Sequence, residues 1–141
     1  MGGKAYTLSN SLLNHIFRTT AYTQPGTLYV GLFSTVPTTG NLGTELTIGQ
    51  YGYARVGVGT ADADWNYTAA TFIAASTVKN AAAITFAAVT SVAWTVNGFG
   101  IWDASTAGNL LYWGSVTGAP VTVSVGATAS FAIDQLTITE N

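Results

Sequence analysis

Charge is the scarcest commodity in this sequence. Only 7% of its 141 residues are charged, where an ordinary soluble domain carries about 25%. The cations are Lys4, Arg18, Arg55 and Lys79, placed singly along the chain. Phosphate binding relies on clustered Lys and Arg to release counterions, so the sequence argues against direct nucleic-acid binding. Cysteine is absent, which removes disulfides, thiol nucleophiles and thiolate metal sites together. Long apolar runs are missing as well. The most apolar stretch, Ala81 to Trp94, is interrupted by Thr85, Thr90 and Ser91 and is too short to span a bilayer. The N-terminus lacks the continuous apolar core of a secretory leader, and no membrane association is expected.

What remains is apolar and neutral. Hydrophobic residues make up a normal 48%, so Thr, Ser, Asn and Gly take the places that charges would fill. Such a surface has little repulsion to keep copies apart, and the expected remedy is cover by neighbouring subunits. The length fits one domain, residues 1–141, with no linker or composition shift to divide it.

One helix is legible. Leu8, Leu12, Leu13, Ile16 and Phe17 fall on one stripe at a period of 3.6, which predicts a helix over about 9–20. Ser9 or Asn10 would cap its start, and Gln24-Pro25-Gly26 cannot continue it. On this reading Leu13 and Phe17 are docked, so Leu13→Asp or Phe17→Asp unfolds or disassembles the protein while Asn14→Ala is nearly silent. From about residue 27 onward the chain reads as strand and turn. Thr27–Ser34 and Tyr51–Val58 alternate with period 2. Thr71–Ile73, Ala83–Ala87, Gly98–Trp102, Leu110–Ser115, Val121–Val125 and Ala129–Thr139 are further β-prone runs. The expected class is mainly β: an antiparallel sandwich, jelly-roll-like, with one short N-terminal α-helix. Thr38–Gln50 reads as a long polar loop.

No constellation for catalysis emerges. His15 is the only histidine and has no nucleophile or carboxylate beside it on the helix, so it reads as a surface or interface residue. Asp62-Ala-Asp64-Trp-Asn66 opens like a calcium loop, but Tyr67 replaces the required Gly and Ile73 the bidentate Glu. A solvated turn with Trp65 folded onto the domain is the simpler reading. Asp62 and Asp64 are the only carboxylates close in sequence, and nothing apolar beside them would raise one pKa for glycoside hydrolysis. Gly57-Val-Gly59 and Gly98-Phe-Gly100 lack the third Gly and following helix of a dinucleotide site. Catalytic residues, cofactors and metals are therefore all expected to be none. Trp94, Phe99, Trp102, Tyr112 and Trp113 lie within twenty residues of one another. Such rings stack on sugars, fill a core or anchor a subunit interface, and the last two are favoured. Glu45 and Arg55, rare charges that bracket the polar loop, form the expected ion pair.

The blocks LLNHIFR (Leu12–Arg18), TLYVGLFSTVPT (Thr27–Thr38), GTEL (Gly43–Leu46) and GYARV (Gly52–Val56) follow in order. NGFGIWDASTAGNLLYWGSV (Asn97–Val116) and SFAIDQLTIT (Ser130–Thr139) close the chain. Nearly the whole sequence thus resembles a family of small tailed-bacteriophage virion proteins, often labelled tail fiber proteins, some of which look like head decoration or cement proteins. The resemblance implies a β-sandwich made in the host bacterial cytoplasm that assembles, often as a homotrimer, on the capsid exterior. There it would bridge and stabilise neighbouring major capsid protein subunits. The alternative is a receptor- or glycan-binding tail fibre or knob domain.

Overall fold

Strand β2 (Thr27–Thr35) is the axis of the structure, a computed structural model that describes residues 2–38 and 41–140. Its alternation puts Leu28, Val30 and Leu32 on one face and Tyr29, Gly31 and Phe33 on the other. One edge of β2 pairs antiparallel with β9 (Gly98–Trp102), whose Phe99 and Ile101 share the inner face. The other edge takes β3 (Thr44–Glu45) near its end and β4 (Val56–Gly59) near its start. Beyond β9 come β10 (Leu110–Ser115) and then β1 (Gly2–Lys4), completing the larger sheet.

Smaller antiparallel sheets supply the opposing layer. Strands β5 (Trp65–Thr68), β6 (Ser76–Asn80) and β13 (Thr137–Glu140) form one. β8 (Trp94–Val96) pairs with β11 (Val121–Val123), and β7 (Ile84–Thr85) with β12 (Ser130–Phe131). Val30, Leu32, Phe99 and Ile101 of the large sheet meet Ile84, Phe86, Val96, Val123 and Leu136 in one core. The buried Asn80 ties β6 to the chain between β12 and β13 without an orphan group. Its amide donates to the carbonyls of Ala82 (2.7 Å) and Ala132 (2.8 Å), and its oxygen accepts from Leu136 N–H (2.9 Å). The mainly β antiparallel sandwich, with a single α-helix among the described residues, is thus the observed class.

Several boundaries differ from the sequence reading, each for a physical reason. Helix α1 runs over Tyr6–Phe17, not 9–20, and its N-cap is Ala5 with no side-chain cap. Tertiary contacts fix this start: Ala5 N–H donates to Leu111 O (2.7 Å) and the Thr7 hydroxyl donates to Leu110 O. The helix therefore buries Ala5 and Leu8, with Leu12 half-buried behind them, and turns Leu13, Ile16 and Phe17 to solvent. Leu8 is 5% exposed and Phe17 77%, so the docked stripe expected at Leu13 and Phe17 is overturned. The strand expected over Tyr51–Val58 shrinks to β4 because Tyr51 (φ 53°) and Gly52 (φ 84°) form a left-handed turn. Thr71–Ile73, read as a strand, is instead the tip of the β5–β6 hairpin, closed by paired Thr71 and Ala74 backbones. The polar stretch Thr38–Gln50 is no free loop: it contains β3, and Leu46 and Ile48 pack against the core. Its Thr39 and Gly40 lie outside the described residues.

The corrected helix phase makes a direct prediction. Leu8→Asp should unfold the protein, since an unpaired buried carboxylate costs several kcal/mol, comparable with the stability of a domain. Phe17→Asp should shift the thermal midpoint of the monomer by no more than about 2 °C, as surface changes usually do. Calorimetry on both variants at concentrations where the protein is monomeric checks this, and equal large losses would mean that Phe17 is docked after all.

Candidate assembly interface and its scaffold

The outer face of the large sheet is built from glycines and large rings in alternation. Gly31, Phe33, Gly100, Trp102 and Trp113 share it by register. The rings of Phe33 and Trp102 pack at a tilt of 35° with centroids 5.2 Å apart. A Cβ on Gly31 would come within 2.6 Å of the Tyr53 hydroxyl and 2.8 Å of both Glu45 Oε1 and Trp102, so only glycine fits. What crowds Gly31 is an ion-pair network. Arg55 donates from Nε to Glu45 Oε1 (2.8 Å) and from Nη2 to Oε2 (2.7 Å). Its Nη1 donates to the carbonyls of Ala104 (2.7 Å) and Ala107 (2.8 Å). The guanidinium lies 4.1 Å from the Trp102 ring centroid. The Arg55 side chain is 4% exposed and that of Glu45 18%, so the pair expected from sequence is present and largely out of water.

Tyr53 completes the network from the other side. Its hydroxyl donates to Glu45 Oε1 (2.8 Å) and accepts from Leu32 N–H (2.8 Å), between the stretches where β3 and β4 pair with β2. A side chain thus stands in for a missing ladder partner. Burial, reinforced by the Glu45 charge, raises the Tyr53 pKa well above its usual 10.0. On the inner face, burial and then Glu140 push Tyr112 up to about 12.

The other sequence candidates fall into separate places. Trp94, Phe99 and Trp102 are buried, with Trp94 edge-on to Tyr53 at 5.6 Å. Tyr112 and Trp113 are half-buried on opposite faces of β10. The aromatic group therefore does not form one exposed platform, and most of it serves packing. Asp64, from the calcium-like stretch, turns back to accept from Ala61 N–H (3.0 Å), and Trp65 Nε1 donates to Gly59 O (2.8 Å). His15 Nδ1 accepts from Tyr22 N–H (3.2 Å) and so holds the chain that leaves the helix.

Two exposed apolar features were not read as such from the sequence. On α1, Tyr6, Leu13, Ile16 and Phe17 are all exposed. At the β5–β6 hairpin, Phe72 and Ile73 are 105% and 92% exposed. Exposed apolar residues gathered in this way mark interaction surfaces. The family model described as podophage GP4 fiber I protein gp80 matches residues 3–139. The chain belongs to this family. No curated protein matches it. Membership makes it a phage virion protein of the fibre type, and the match spans both the ion-pair scaffold and the exposed apolar features. No helix among the described residues is long and apolar enough to cross a membrane.

Arg55 is the keystone of the scaffold and should tolerate no replacement. Arg55→Ala strands Glu45 and should cost about 3–5 kcal/mol in denaturant unfolding. Arg55→Lys should recover only part, because an ammonium cannot bond the carboxylate bidentately while reaching two carbonyls. Full recovery by Lys would mean that charge alone matters.

The tyrosines set an alkaline limit. Both folded-state pKa values lie above the unfolded value, so the stability they contribute is complete below pH 10 and drains away as pH rises toward 12. Thermal midpoints across that window should fall, and the fall should be shallower in Tyr112→Phe. An unchanged slope in that variant would remove Tyr112 from the account.

Proposed function

We propose that this protein is a structural subunit of a virion fibre, acting by holding chains together rather than by turnover. The observation that carries the reading is the exposed apolar face of α1, formed by Tyr6, Leu13, Ile16 and Phe17 on a chain with only 7% charge. Burying four such side chains is worth on the order of 10 kcal/mol gross. Association itself costs roughly 4–15 kcal/mol, so this face supports assembly when a second surface joins it. The scaffold favours that use, because a locked sandwich presents its surfaces with little further ordering to lose. Self-association as a homotrimer is the expected state, with no role for a cofactor, nucleic acid or membrane.

Capsid decoration is the second reading, in which the protein sits on the capsid exterior and bridges major capsid protein subunits. One feature favours it: apolar residues are exposed at two separate elements, α1 and the β5–β6 tip, as a bridge requires.

Immunogold labelling of intact virions, paired with particles that lack the protein, separates the readings. A fibre subunit predicts label on the tail, lost adsorption and unchanged DNA retention under heat. A decoration protein predicts label on the head and early DNA release. Virions without label would contradict both.

A further inference from the structure

The sandwich is open at one end. Between the inner faces of the two layers lies a groove of about 1040 Å³. Its floor is Leu28, Ile101 and Leu111, its far wall Val78 and Ile138, and α1 borders it with Leu12. The charged groups at its margin are Asp62 and Glu140, the latter already paired with Lys4. The chain that returns from α1 runs along the mouth, placing Tyr22 and Pro25 there. This is an apolar socket that no described residue plugs.

The plug shape is present elsewhere in the chain. The β5–β6 hairpin ends in Ala69-Ala-Thr-Phe-Ile-Ala-Ala75, a stretch with no charge, and its two turn residues are Phe72 and Ile73. Tight hairpin turns favour Asn-Gly or other residues that accept positive φ. Here a ring and a β-branched residue occupy the turn, and neither is among the described residues with positive φ. A turn without positive φ accepts most residues, so local chemistry permits Phe-Ile here without requiring it, and what stands out is that both are exposed. The tip does not occupy its own groove: Phe72 and Ile73 are exposed, and the hairpin turn extends beyond Tyr67 and Ser76, which line the groove.

We propose that Phe72 and Ile73 of one copy seat in the groove of a second copy, between α1 and the β5–β6–β13 sheet. The inference deepens the fibre-subunit reading and rests on it. Such a contact joins two different surfaces, so it repeats from copy to copy and closes into a ring or extends as a fibre. The two tip side chains alone bury a few hundred Å² on their side, short of the roughly 1,200 Å² of a stable interface. Helix α1, which borders the groove with Leu12 and exposes Tyr6, Leu13, Ile16 and Phe17, supplies the remainder.

The chain's lack of cysteine makes the test clean. The double variant Leu12→Cys/Ile73→Cys, oxidised at micromolar concentration, should give a reducible ladder of multimers on a denaturing gel. The control Val125→Cys/Ile73→Cys, with Val125 exposed at another site, should give much less. Phe72→Asp/Ile73→Asp should fold with a wild-type thermal midpoint at dilutions where both proteins are monomeric, because both positions are exposed, yet associate about 100-fold more weakly. An internally linked monomer in the cysteine variant would overturn the proposal by showing that the tip fills its own groove. Wild-type association that survives the Asp pair would overturn it and leave the fibre reading intact. A monomeric wild type that binds particles lacking it only through an intact tip would also overturn it, moving the socket to another virion protein.

Discussion

The bidentate pairing of Arg55 with Glu45, laid over Trp102, is the interaction on which the rest of the fold depends. Strand β2 has β9 along one edge, but its other edge is shared between β3 and β4 with a gap at Leu32. Tyr53 fills the gap because Glu45 accepts its hydroxyl hydrogen bond, and Glu45 is held in place because Arg55 faces it. The same guanidinium fastens the β9–β10 loop through Ala104 and Ala107. That loop is further closed by Asp103, which accepts from the backbone and side-chain amides of Asn109. Desolvating two charges is costly, and a pair with poor geometry would be a net loss. Here nearly every donor has a carbonyl or carboxylate, and the ring beneath takes the cation's face.

This inward investment of charge leaves the outside nearly neutral. With two of the few ionised groups spent on the scaffold, the surface keeps Thr, Ser and Gly together with exposed apolar side chains on α1 and at the hairpin tip. A free monomer with such a surface has little protection from association. Rigidity inside and apolar exposure outside are thus two consequences of one distribution of charge.

The sequence spoke clearly where local pattern and tertiary environment agree. Gly98–Trp102 and Leu110–Ser115 stand in the structure with the limits their alternation predicts, and Glu45 and Arg55 were conspicuous because charges are rare. The helix was visible but its phase was not. In a charge-poor chain both faces of a helix are apolar, so Leu13, Ile16 and Phe17 look like core residues although Leu8 holds that place. Strands β5 and β6 were hidden because Trp65–Thr68 lacks alternation and Phe72-Ile73 mimics a strand while forming a turn. The groove could not be read at all, since Leu28, Val78, Ile138 and Leu12 come from four distant segments.

Hydrogen exchange on the free chain and on the chain within intact virions tests the central claim most directly. The account predicts that amides of β2 and β9 exchange slowly in both states. New protection on assembly should concentrate in α1 and across residues 65–78. Protection appearing instead along the Val121–Ala129 stretch, with α1 and the hairpin unchanged, would contradict it.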